Sequence, residues 1–181
     1  MRMMFRSQLL IAALALVFSI AGATAASADS GFTTRTYLIG VGFLIGPDVA
    51  MAAIGETIEI TGAGTLSIHP KSVTGAGTFT HKAADGTTVL ATGTWTATQL
   101  LTFSSYGAPV GFPFPTFDGG YARMRIHLAP VGGGAGVDAI LEFDCNLGLN
   151  PPGHEEGVRL AIQGGPNFNE KVSGETVFII P

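Results

Sequence analysis

After residue 28 no stretch of the sequence keeps apolar residues at helical spacing. Short runs rich in Thr, Val, Ile and Phe are broken instead by Gly, Pro, Asn and Asp. That punctuation leaves no room for a helix bundle and predicts an all-β chain, a single-domain antiparallel sandwich or small barrel. Eight strands are expected, at Thr34–Ile45, Glu56–Ile68, Gly75–Lys82, Thr87–Thr98, Tyr121–Leu128, Asp138–Asn146, Val158–Gln163 and Gly174–Ile180. Asp48–Ile54 reads as a short helical turn.

Residues 1–28 have a different character. Arg2 and Arg6 precede an apolar stretch from Leu9 to Ile20, and two A-x-A sites follow, Ala23-Thr24-Ala25 and Ala26-Ser27-Ala28. This is the layout of a secretory signal peptide, with cleavage expected after Ala28 and a secreted or extracytoplasmic product. The remaining residues, 29–181, suffice for one domain with its own core.

Losing Arg2 and Arg6 leaves seven basic residues against thirteen acidic ones, a net charge of −6. Such a chain has no electrostatic footprint for nucleic acid or an anionic membrane. Charged residues make up 12 % of the sequence, about half the usual share, so much of the surface must be Thr, Ser, Gly and Asn. The single cysteine, Cys145, allows no internal disulfide. It falls on the apolar face of its strand with Ala139, Leu141 and Phe143, which predicts a buried free thiol.

Two hairpins can be placed in register. Turning at Ala84-Asp85-Gly86, the first sets Phe79 opposite Ala91, Gly77 opposite Gly93, and Gly75 opposite Trp95. The indole then covers a glycine. Its other face carries Thr78, Thr80, Thr92, Thr94, Thr96 and Thr98; such a ladder could match an ordered lattice, but β-propensity alone explains it. In the second hairpin, symmetric closure of the Pro130–Gly136 loop places Arg125 opposite Glu142 and Arg123 opposite Asp144. A pentapeptide, Thr61-Gly62-Ala63-Gly64-Thr65, recurs as Thr74-Gly75-Ala76-Gly77-Thr78. Two copies do not make a solenoid; adjacent strands with matching glycines, closely approached by a neighbour, account for them.

No catalytic constellation emerges. There is no G-x-S-x-G elbow, and the glycines of 132–136 precede a strand, so they lack the helix N-terminus of a phosphate cradle. His69, His81, His127 and His154 lack metal-ligand spacing, and His154-Glu155-Glu156 sits in a Pro-Pro-Gly loop; no metal or cofactor is expected. Two groups of residues remain as candidates. Arg123, Arg125 and His127, facing Glu142 and Asp144, form a polar face that could bind an anionic or sugar ligand, although an exposed ion-paired sheet explains it more simply. Tyr106, Phe112, Phe114, Phe117 and Tyr121 lie in a proline-rich connection. They suit either a plug over an open end of the core or contact with a sugar or protein partner.

The glycine-rich strands are similar to those of small eight-stranded barrels such as dirigent proteins and allene oxide cyclases, a likeness of fold that carries no functional residue with it. The expected function is an exported, non-catalytic β-module that binds a carbohydrate or a protein, or self-associates, through the aromatic segment. The alternative is a small-ligand barrel, with simple lyase or isomerase chemistry, whose Arg/His/Glu/Asp face lines the interior.

Overall fold

The structure, a computed structural model, describes residues 34–109, 111 and 116–181. The expected signal peptide, Phe112 and Phe114 lie outside them. The described residues form ten antiparallel strands and no helix. These are β1 (Thr34–Ile39), β2 (Asp48–Ala52), β3 (Thr57–Ile68), β4 (Lys71–Lys82), β5 (Val89–Gly107), β6 (Phe117–Pro130), β7 (Val137–Cys145), β8 (Gly157–Ile162), β9 (Asn167–Ser173) and β10 (Thr176–Ile179).

The sheet closes on itself in two circuits that share β3, β4, β5 and β6. One runs from β6 through β10 and β1 back to β3; the other runs from β6 through β7, β8, β9 and β2 back to β3. Both closures use the length of the shared strands. β3 pairs with β2 over Thr57–Ile60 and with β1 over Gly62–Ser67. Likewise β6 pairs with β10 at Phe117–Asp118 and with β7 over Gly120–Leu128. Alternation then sends every second side chain inward. The interior is filled by Trp95, Tyr37, Phe143, Phe168 and Phe178, all fully buried, together with aliphatic side chains from most strands. Phe178 stacks on Phe143 at 5.3 Å and meets Phe103 edge-on at 4.9 Å.

The two glycine pentapeptides pair with each other. Thr61 faces Thr78, Gly62 faces Gly77, Gly64 faces Gly75 and Thr65 faces Thr74 across β3 and β4. Each glycine pair opens a flat spot that an aromatic ring occupies. Trp95 lies on Gly62 and Gly77, where a Cβ would come within 2.2 and 2.6 Å of the indole, and its N–H donates to Thr61 O at 2.8 Å. Tyr37 lies on Gly64 and Gly75, its hydroxyl donating to Thr74 O at 2.9 Å. A ring on bare backbone gains its full burial while its polar atom finds a carbonyl.

Both hairpins differ from the expected register by two residues, which leaves the faces unchanged. Phe79 pairs with Gly93 and Gly77 with Trp95, so Trp95 covers Gly77 rather than Gly75. The turn is longer than expected: Ala83 N–H donates to Thr88 O, and Asp85 accepts from the backbone N–H of both Thr87 and Thr88. The Thr88 hydroxyl donates to the same carboxyl, and with the two N–H groups it holds Asp85 down at about 2. In the second hairpin Arg123, not Arg125, faces Glu142, while Arg125 faces Ile140 and Tyr121 faces Asp144. Its loop closes at Leu128–Val137, and this register matches His127 to Asp138 as well as Arg123 to Glu142.

Asp48–Ala52 is a strand, not a helical turn; its alternating burial and its place between β3 and β9 settle its conformation. The first strand ends at Ile39 because Gly40 turns the chain with φ of +54°. Both ends of the expected proline-rich connection, Tyr106–Gly107 and Phe117–Tyr121, belong to β5 and β6.

Candidate functional site

Residues 146–156, between β7 and β8, lie across one end of the sheet, and Asp144 anchors them. Although it is on the outer side of β7, Asp144 is 1 % exposed. Its Oδ2 receives Lys171 Nζ of β9 at 2.6 Å, and its Oδ1 receives the Tyr106 hydroxyl of β5 at 2.7 Å. His154 Nδ1 is 2.9 Å from the same Oδ1 and 2.7 Å from the Tyr106 oxygen, and its ring meets Tyr106 and Tyr121 edge-on. The ammonium of Lys171 also donates to Glu155 O. Three strands and the connection are thereby fastened at one carboxylate.

The chemistry of this cluster is that of a fastening. A tyrosine nucleophile needs a lowered pKa, whereas burial, reinforced by Asp144, raises that of Tyr106 above its ordinary value. Burial likewise pushes Tyr121 up to about 12. Lys171 and Asp144 neutralise each other, with side chains 3 % and 2 % exposed.

On the other side of the same connection is a groove of about 340 Å³. Phe43 and Leu44, from the β1–β2 loop, form one wall; Phe117 and Leu147 continue it; Glu156, Glu175 and Thr176 supply the polar side. Phe43 is 62 % exposed and stacks on Phe117, with centroids 5.6 Å apart and rings 16° from parallel. Glu156 is held by three donors: Asn146 N at 2.6 Å, Thr176 N at 2.7 Å and Thr176 Oγ1 at 2.8 Å. Glu175 Oε2 accepts from Ile45 N at 3.0 Å, and Glu175 O from Gly40 N at 3.0 Å, which ties the Phe43 loop to the start of β10.

Cys145 lies at the base of the groove, fully buried, and burial pushes its thiol up to about 12. Behind it is Asp48, wholly buried, with no hydrogen-bond partner on either oxygen. Gly40 and Gly174 pack against it so closely that a Cβ on Gly174 would sit 2.3 Å from its Oδ1. Burial, and then the charges of Glu156 and Glu175, raise its pKa to about 7; the nearby Glu175 N–H and the Lys171 ammonium offset only part of this.

The structure divides both candidate groups. Arg123, Arg125 and His127 are exposed on the outer face, and Glu142 is half-buried beside them. Asp144 does not join that row: it is buried and belongs to Lys171, Tyr106 and His154. Nor do the aromatics form one platform. Of the three described, Tyr106 is buried, Tyr121 leans on His154, and Phe117 reaches the groove, where Phe43 supplies the second ring. His154-Glu155-Glu156 is used three ways, as a side-chain contact to Asp144, a carbonyl to Lys171, and a carboxylate to Asn146 and Thr176. Among the described residues no group of three or more His, Cys, Asp or Glu is placed to hold a metal ion.

The outer row yields a direct test of register. Arg123 Nε is 3.1 Å from Glu142 Oε1. Reversing either charge should lower stability and reversing both should restore most of it, with a coupling of a few tenths to about 1 kcal/mol for an exposed pair. Urea titration of the four proteins measures this; the same cycle on Arg125 and Glu142 should give a much smaller coupling.

Compared with family models, with curated proteins and with solved structures, the chain has no match.

Proposed function

We propose that the protein is an exported β-barrel binding module that takes a carbohydrate in the groove between Phe43, Phe117 and Glu175. The observation that carries this reading is the exposed Phe43 ring, backed by Phe117 and set beside carboxylate oxygens. Aromatic faces accept the C–H faces of sugar rings, and carboxylates accept hydroxyl protons. The interior also supports it: Trp95, Tyr37, Phe143 and Phe178 occupy the space that an enclosed ligand would need. The Arg123/Arg125/His127 row points outward, which disfavours the alternative of a barrel with a polar lumen. Export rests on Arg2, Arg6 and the paired A-x-A sites.

A glycan array identifies a binding sugar, and calorimetry then compares variants. Phe43 is largely exposed and touches the fold through Phe117, so Phe43→Ala should leave the fold intact and lower the melting temperature by no more than a few degrees. Its affinity should fall about fivefold to tenfold, from the loss of roughly 1 kcal/mol of ring stacking. Undiminished affinity, or concentration-dependent self-association with no glycan bound, would overturn the assignment.

A further inference from the structure

We propose that the groove selects a sugar carrying a protonated amine, an amino sugar, over neutral or acidic ones; this rests on the carbohydrate reading above. Among the described residues the groove lining contains two carboxylates, Glu156 and Glu175, and no Lys, Arg or His. Glu156 is locked in place by Asn146 and Thr176, so its charge cannot swing away. Glu175 Oε2 takes the Ile45 N–H at 3.0 Å; its Oε1 has no hydrogen-bond partner among the described residues and is available to a ligand.

Two buried cations of the described residues are already paired with carboxylates of their own: Lys171 with Asp144 at 2.6 Å, and Arg35 with Asp118 at 2.8 Å. Asp48, behind Gly174, adds negative charge when ionised. The stacked rings act in the same direction, because the face of an aromatic ring attracts a cation lying over it. An ammonium seated between Phe43 and Glu175 would therefore gain from both walls, while a uronic acid or a sulfated sugar would be repelled by both carboxylates.

The test is calorimetric titration of the full protein with the β-1,4-linked glucosamine tetramer and with its N-acetylated counterpart, at a pH where the amines are protonated. The free amine should bind about tenfold more tightly. That advantage should shrink at high salt, since exposed charges are screened within roughly 10 Å at 0.1 M. Glu175→Gln keeps an acceptor for Ile45 N–H and should narrow the advantage; Phe43→Ala should weaken both titrations. Equal or tighter binding of the acetylated tetramer would overturn the amine preference while leaving the carbohydrate reading in place. An unchanged preference in Glu175→Gln would do the same. If neither tetramer binds, and no neutral or acidic glycan binds either, both proposals fall.

Discussion

Asp48→Asn is expected to stabilise the protein by about 4 kcal/mol at pH 8 relative to its effect at pH 4. The sign follows from the proton. In the folded protein the Asp48 carboxyl titrates near 7 rather than at its ordinary 3.8. Below about pH 4 it is protonated whether the chain is folded or not, and it costs nothing by ionising. Between the two values the unfolded chain releases the proton and the folded chain keeps it, so stability falls as pH rises. Above about 7 the loss is complete, and at 1.36 kcal/mol per unit it amounts to about 4 kcal/mol. Asparagine is neutral throughout, so any fixed cost of its amide cancels between the two pH values. Urea denaturation of both proteins at pH 4, 6 and 8 reads the difference directly. An Asn effect that does not change with pH would mean that water or a donor reaches the carboxylate.

Lys171→Met should cost about 3–5 kcal/mol, because it leaves Asp144 charged and buried with its ammonium partner removed. The pair is 2.6 Å apart, and both side chains are almost fully enclosed. Asp144→Asn in the Lys171→Met background removes the stranded charge and keeps an oxygen for Tyr106 and His154, so the double variant should be more stable than the single one. Chemical denaturation at neutral pH distinguishes the outcomes. If the single variant loses less than about 1 kcal/mol, water must reach Asp144, and the fastening of residues 146–156 would need another explanation.

Much of the fold could be read from residue alternation. The inward sets Ala122/Met124/Ile126/Leu128 and Ala139/Leu141/Phe143/Cys145 are apolar without exception, and both hairpins kept their faces although they moved by two residues. Register was less legible because it depends on loop closure. Asp85 drawing Thr87 and Thr88 into the turn, and Leu128 meeting Val137, decide it at the hairpin ends. β9 escaped notice because Phe168 is the one buried apolar residue of Asn167–Ser173. β2 did so because Asp48-Val-Ala-Met-Ala is short and begins on a charge.

The site was largely hidden. Asp144 and Lys171 are 27 positions apart, and Tyr106 and His154 are 48 apart, so no local spacing signals their meeting. Phe43 gave no sign either, since its partner Phe117 comes from β6. The aromatic-rich segment did point to Phe117, and the acidic corner to Glu156; each then proved to be one wall of the same groove.

The paired pentapeptides make six positions into two linked triplets. Gly62, Gly77 and Trp95 share one volume, and Gly64, Gly75 and Tyr37 share another. Within a triplet, a methyl group added to a glycine meets both the ring and the facing strand: on Gly77 it would lie 1.8 Å from Thr61 O, and on Gly64 2.1 Å from Thr74 O, so a smaller ring alone would not make room. The glycines are therefore fixed by the opposite strand's backbone as well as by the rings, and should persist even where a ring is replaced. Because the Thr-Gly-Ala-Gly-Thr unit reads the same in both directions, its two copies present identical partners to one another whichever strand is taken first. Each glycine is thus opposed by its like, and neither strand can gain a side chain here without displacing the backbone of the other.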